Sequence, residues 1–583
     1  MTYLDYAIIL LYFAVVIGLG FWYRRRAARG LDDYFLAGKR MHWMMLAMSG
    51  SVSNFDITGT MWIVSMLFML GMRSMWIHWM WGWMMGAFFL AYMGKWVRRS
   101  EVMTGAEWML TRFGRGWGGQ VARMSAAIMA VITMAGMIGY AFQGIGKFAH
   151  VYIPALSANT LALLIIGATT LYVLLGGLYS VITTDVIQTV VVTVGAIIIA
   201  VIAYFQLSAA DIAAALPEGW VSVAPVWRID GLTGDGAAYQ LFGALLIVWV
   251  VKGLLLNAGG PGGMYEFQRF LAARDPRDAA KAGAAWSVFL VVRWGMCMGL
   301  ALLAMAGLSG ITDPETTMPI VLHTYLPAGL RGLVIAGLLA AFMSTFSSTV
   351  NAGASYLIRD FWQPLTGADE HSRGIIAASY AATIALVLFG VAIGFQAESI
   401  AQIWEWLMMA LGGGVILPNV LRWYWWRFNG WGYAAGTVGG MLLSLVPLFQ
   451  PDWPMYVTFP IIAGGSLIGC LAGTWLTPPV AADTLTGFYT RVRPFGLWRP
   501  VLERSPLPDD ILKDPKENPW RTALNVLLGM AAIMSCYLAP MYLVGHWHLR
   551  ALLCVCVAAA AIVTLRFTWY RYLPERRQAE RTR

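Results

Sequence analysis

Charge is what this chain has least of. Only 12% of its 583 residues are Asp, Glu, Lys or Arg, against 59% hydrophobic, and the mean hydropathy is +0.65. A soluble domain carries about twice that share of charge, so an ordinary water-exposed surface is excluded. Cysteine is nearly as scarce. Cys297, Cys470, Cys536, Cys554 and Cys556 all fall inside apolar stretches, at spacings that build neither a disulfide framework nor a zinc site. They read as small buried hydrophobes. Nucleophile–base pairs, phosphate loops and His/Cys clusters are missing too, which argues against an enzyme. No basic patch accompanies the net charge of +10, so nucleic acid is not an expected partner. Short segments of strictly alternating hydrophobicity are absent, which excludes a β-barrel.

What the chain does have is apolar segments long enough to cross a bilayer, repeated from end to end. The expected class is therefore an all-α polytopic membrane protein with about fifteen spans. Their expected extents are 6–23, 43–71, 76–96, 120–148, 158–178, 181–206, 238–264, 283–309, 329–360, 374–396, 399–421, 431–449, 455–476, 521–543 and 548–571. Lys and Arg crowd alternate connections, among them "YRRRAARGLDDYFLAGKR", "VRRSEVMTGAEWMLTRFGRG" and "QRFLAARDPRDAAKAG". The positive-inside rule then places the N-terminus outside and the C-terminus inside a plasma membrane. The stretch Pro478–Trp520 is Pro-rich and expected to be an extended inner loop.

Two spans are interrupted. The second contains "MSGSVSNFDITGTMW" and the seventh runs into "LLLNAGGPGGMYEFQR". Helix breakers at membrane depth are tolerated only where the freed backbone faces protein or a cavity. Interrupted helices at corresponding places in two halves point to a transport site. The halves expected are 43–206 and 238–421, flanked by a peripheral span with its inner loop at 1–42, additional spans at 431–476, a cytoplasmic loop at 477–520 and two final spans in 521–583.

The ninth span holds "AAFMSTFSSTVN", with hydroxyls at Ser344, Thr345, Ser347, Ser348 and Thr349. Ala341, Ser344, Thr345 and Ser348 share one helical face. Such hydroxyls commonly bond back to the i−4 carbonyl; alternatively, they supply oxygen ligands to a hard cation. Two carboxylates bear on that choice. Asp56 lies in the second span and Asp185 at the start of the sixth, and an acid within a span marks a functional site unless it caps a helix.

Together "DDYFLAGKRMHW", "SNFDITGTMW", "VMTGAEW", "GGLYSVITTDVIQ", "FQRFLAARDPRDAAKAG" and "AAFMSTFSSTVNAGASYLIRDF" resemble the sodium:solute symporter family, over roughly three quarters of the chain. The resemblance implies an inverted five-helix repeat, as in the leucine transporter, with extra helices at both ends. It implies sodium as the coupling ion. The first sodium site would use the hydroxyls of Ser344 and Thr345 and the carbonyls of Ala341, Asn54 and Ile57, with Asp56 beside it. A second would use Asp185, Ser347 and Ser348, with Ser344 as a further candidate.

The solute is expected near the midplane, with Trp62, His78, Trp83, Asn257, Tyr265, Glu266, Trp404 and Glu405 as candidate linings. Twenty-eight Trp and 33 Met mostly serve membrane packing, although aromatic faces also stack on sugars. Lys252 and Arg293 are buried bases that pair with acids, snorkel, or face an anionic solute. Sugars come first as solute, amino acids second and small carboxylates third. Proton coupling through Asp56 or Asp185 remains open, as does a membrane-embedded sensor. Partners are the solute, sodium and the lipid bilayer, with the oligomeric state open.

Overall fold

Leu330–Tyr356 is the helix around which the others gather. In the computed structural model, which describes residues 1–27, 41–80, 84–102, 104–232, 234–260, 266–367, 373–450, 452–505 and 517–574, 94% of its most apolar window is buried. It touches the helices Tyr3–Ala27, Trp43–Ser53, Trp117–Tyr152, Ala158–Gln206 and Arg373–Gln396. Small residues allow this crowding, because without a Cβ two backbones can approach closely. A Cβ at Gly332 would lie 2.6 Å from the Asp5 Cα of the first helix.

Every regular element among the described residues is helical. Helix occupies each expected span, and among the described residues eleven segments are long and apolar enough to cross a membrane. The first span is the 25-residue helix Tyr3–Ala27. The twelfth is the 14-residue helix Gly430–Leu443. Part of the third, residues 81–83, lies outside the described residues.

The expected boundary between the fifth and sixth spans is replaced by one helix, Ala158–Gln206, of 49 residues. Gly176-Gly177 lowers the hydropathy there, but no proline removes a backbone donor, so the hydrogen-bond ladder continues. Nor is "QRFLAARDPRDAAKAG" a loop: it forms the helix Glu266–Ala272 and the start of Pro276–Phe289. Pro478–Trp520 is not simply extended either. It contains the helix Ala482–Val492, whose Leu485, Phe488 and Val492 are buried at the spacing of one apolar face. The final helix His548–Thr568 packs on Pro519–Val544, which packs on Val291–Gly307. Only 22% of the last span is buried, so it lies at the periphery.

Both interruptions are built locally. The helix Trp43–Ser53 ends at Asn54, and Asp56 caps the next helix, Ile57–Leu70, by accepting from Gly59 N–H at 2.8 Å, the usual role of an N-cap carboxylate. Gly59 is required there, because a Cβ would lie 2.5 Å from Asp56 Oδ1. In the seventh span the helix Phe242–Gly259 stops at Gly260, whose φ of +71° suits glycine. Helix resumes at Glu266. Separately, π-helical turns occur at Phe89–Met93, Leu357–Trp362 and Trp406–Leu411.

Candidate ion and solute site

The first break gathers buried charge. The Arg293 guanidinium lies 3.5 Å from Asp56 Oδ1, donates from Nε to Thr60 Oγ1 at 3.1 Å and from Nη1 to the Asn54 carbonyl, and stands over the Phe55 ring. Tyr140 also bonds the Asp56 carboxylate. Arg293 therefore answers the choice left open by the sequence: it pairs with an acid.

The hydroxyl cluster lies beside that break. Thr345 Oγ1 donates to the Ser53 carbonyl and contacts the Ala341 carbonyl at 3.1 Å. Ser344 Oγ and Ser53 Oγ share a hydrogen bond at 2.9 Å, and Ser348 Oγ lies 3.2 Å from the same Ser53 oxygen. Thus Ser344 and Thr345 face the broken span, but the carbonyl that meets Thr345 is that of Ser53. Asn54's carbonyl is turned to Arg293, and Ile57 opens the following helix with its side chain buried. Ser347 Oγ instead donates to its own helix, to the Ser344 carbonyl at 3.1 Å.

Asp185 joins this cluster from the long helix Ala158–Gln206. Its carboxylate accepts from Ser49 Oγ, and it pairs with Arg269 at 3.7 Å. Arg269, from the short helix after the second break, donates to Ser53 Oγ at 2.5 Å, Ser348 Oγ at 2.6 Å and Ser49 Oγ at 3.1 Å. Neither Ser49, Ser53 nor Arg269 was among the expected site residues. Ser49 and Ser53 carried a signal, since an i, i+4 pair shares a helical face. Arg269 carried none, being one base among many in a basic segment.

The third feature is a cavity of about 250 Å³. Trp62, Ser65, Met66, Met69, Tyr239, Gln402 and Glu405 contribute to its walls, and Tyr239 Oη lies 3.5 Å from Glu405 Oε1. Trp62 also meets Trp404 at 5.8 Å between ring centroids, and Trp404 meets Tyr140 at 4.6 Å. His78 packs edge-to-face on Trp62 at 4.9 Å, and neither ring nitrogen has a hydrogen-bond partner among the described residues.

Of the expected linings, Trp62 and Glu405 border the cavity, while Trp404 and His78 do not line it but pack against Trp62. Asn257 is not brought there: its side-chain amide donates to the Gly253 carbonyl of its own helix at 2.7 Å. Trp83 and Tyr265 lie outside the described residues, as does the side chain of Glu266. Lys252 is buried with its ammonium 4.7 Å from the Trp249 ring centroid.

Comparison with known proteins identifies the family. A sodium/mannose cotransporter from Bos taurus is 24% identical over 533 aligned residues, covering 78% of this chain and 81% of the relative. A sodium/glucose cotransporter from Vibrio parahaemolyticus is 22% identical, covering 77% and 86%. The solved substrate-bound outward-open structure of a Na+-coupled sialic acid symporter covers 82% of this chain and 99% of its own, with a TM-score of 0.65 at 17% identity. That likeness shows a shared fold. The model of the sodium:solute symporter family matches residues 34–440, which span both breaks and the hydroxyl cluster. The chain therefore belongs to the sodium:solute symporter family and is a sodium-coupled symporter of the membrane.

Proposed function

We propose that the solute is a sugar or a similar neutral polyol, carried inward by alternating access. The observation that carries this reading is the cavity, where the Trp62 indole stands among Ser65, Gln402, Ser399 and Glu405. An aromatic face with several hydrogen-bonding groups suits a ring bearing hydroxyls. An anionic solute would need a cation of its own, whereas Arg293 and Arg269 are engaged with protein oxygens. The mannose and glucose cotransporters among the relatives are consistent with this solute class.

Sodium in this reading binds between the first break and the ninth span. Ser344 and Thr345 supply hydroxyls, Ala341 and Ile57 supply carbonyls, Asn54 adds its carbonyl only once that oxygen has exchanged the Arg293 guanidinium for the ion, and Asp56 lends negative charge nearby. Support comes from Thr345 facing the end of the broken helix through the Ser53 carbonyl. Binding there holds the break against the ninth span and organises the solute site. One charge moving through 100 mV contributes about 2.3 kcal/mol, enough for roughly fiftyfold accumulation. The segments 43–206 and 238–421 act as inverted halves, each opening with a broken span. The N-terminus faces outward and the C-terminus inward across the plasma membrane, with Lys and Arg on the inner side.

The test is the melting of the purified full chain with panels of sugars, amino acids and carboxylates, each in sodium and in potassium. Stabilisation by sugars in sodium only is expected. Stabilisation by amino acids or carboxylates instead would overturn the solute class, and identical behaviour in the two salts would overturn the ion site.

A further inference from the structure

The oxygens around Asp185 already surround a cation. Arg269 Nη2 has Ser53 Oγ at 2.5 Å, Ser348 Oγ at 2.6 Å, the Ser49 carbonyl at 3.4 Å and Asp185 Oδ2 at 3.7 Å. Its Nε engages Ser49 Oγ at 3.1 Å. Both Arg269 and Asp185 are buried. These oxygens come from three separate stretches of chain: the helix before the first break, the long helix bearing Asp185, and the ninth span. Asp185 and Ser348 were expected to hold a second sodium ion, yet they do not fit that role while the guanidinium stands among them. A sodium ion in the same space would put two cations beside one carboxylate, in a setting of low dielectric. Arginine is suited to such a place, because its charge persists and its donors are fixed in a plane.

We propose that Arg269 is a tethered cation that takes the place of a second sodium ion. It neutralises Asp185 and ties the first half to the second, so each cycle carries a single sodium through the site at Ser344 and Thr345. This rests on the sodium site proposed above and adds the stoichiometry. Ser347, bonded back to its own helix, is not needed as a ligand. Because the guanidinium never leaves the protein, this cluster adds no charge to what crosses the membrane.

The test is equilibrium binding of 22Na+ alone to the purified full chain. One sodium per chain is expected for the native protein and for Asp185→Asn. Arg269→Gln exposes the carboxylate and the three serines, and is expected to gain a second sodium. Arg269→Lys keeps the charge and is expected to stay at one, as is the charge-balanced Asp185→Asn/Arg269→Gln chain. If Arg269→Gln does not fold, the native protein and Asp185→Asn decide by themselves. Two sodium ions on the native protein, with one lost in Asp185→Asn, would overturn the tethered cation and leave sodium coupling intact. No sodium on the native protein would instead overturn the underlying sodium site.

Discussion

Glu315 and Lys147 form an ion pair at 2.6 Å, and the same carboxylate accepts from the backbone N–H groups of Ile400 and Ala401 at 3.2 and 2.9 Å. One side chain on the 308–329 connection thus holds both the fourth span and the start of the helix that bears Gln402 and Glu405. Charge at a helix N-terminus and a charge-assisted bond act together here. Glu315→Ala should destabilise the protein by roughly 1.5–3 kcal/mol. It should also raise the half-saturation constant for solute. A lower melting temperature with unchanged solute affinity would detach this anchor from the cavity.

Asp56 and Arg293 should behave as a unit. Removing one partner of a buried pair leaves an uncompensated charge, at a cost of about 3–5 kcal/mol. Arg293→Gln alone is therefore expected to destabilise strongly, and Asp56→Asn/Arg293→Gln to recover part of the loss. A double-mutant cycle on melting checks the coupling; strictly additive effects would mean the pair is not formed in the membrane.

The hydroxyls of the ninth span separate sodium use from folding. Ser344→Ala/Thr345→Ala should raise the sodium concentration for half-maximal uptake at least about tenfold, equivalent to losing roughly 1.4 kcal/mol of ion binding. Thr345→Ser keeps the hydroxyl and should stay near the native value. Uptake with native sodium dependence in the double alanine chain would rule out this ion site.

Trp62 supplies the cavity's aromatic face, and Trp62→Ala should weaken solute binding by roughly three- to tenfold, from the loss of about 0.5–1.5 kcal/mol of ring contact. Trp62→Phe should retain much of it. Solute-induced melting shifts in sodium provide the measurement, with sodium-only shifts as the control.

Glu517 gives a pH-dependent contribution to stability. Burial raises its carboxyl pKa, but Lys95 and Arg99 outweigh that and hold it at about 2, with Arg99 at 2.6 Å and Lys95 at 3.5 Å. A depressed folded-state pKa contributes stability above the unfolded value of 4.5, and that contribution fades as pH falls towards about 2. Native protein should exceed Glu517→Gln by roughly 1–3 kcal/mol at pH 7. The gap should narrow below pH 4.5. Melting curves at several pH values check the sign, and a gap that widened in acid would contradict it.

Much of this molecule was legible because the bilayer restricts what a chain can do. Apolar length gave the spans, and the polar residues around Asp56 in "MSGSVSNFDITGTMW" marked the first break. Ser344 and Thr345 were visible as hydroxyls repeated on one face. Other features depend on contacts that no local pattern carries. Arg269 reads as loop charge until tertiary packing turns it inward against Asp185. Arg293 was visible as a buried base, but its partner was not. Asn257 looked like a ligand because its other use, a bond to Gly253 one turn back, is equally compatible with the sequence. The helix through Gly176-Gly177 is hidden in the sequence because a dip in hydropathy looks the same whether a helix ends or continues, and glycine weakens a helix without removing a donor.

The π-helical turns bear on how such a protein can move. Each fits an extra residue into a turn, and two of them adjoin elements of the proposed site: Leu357–Trp362 continues the hydroxyl-bearing helix, and Trp406–Leu411 comes directly after Trp404 and Glu405. A wide turn is slack held inside an otherwise continuous rod. If that slack migrates by a few residues, the portion beyond it rotates and shifts along its axis while the ladder of backbone bonds stays closed. The spans proposed to hold ion and solute can therefore shift against their neighbours without exposing unsatisfied amides to lipid, where an open break would be costly.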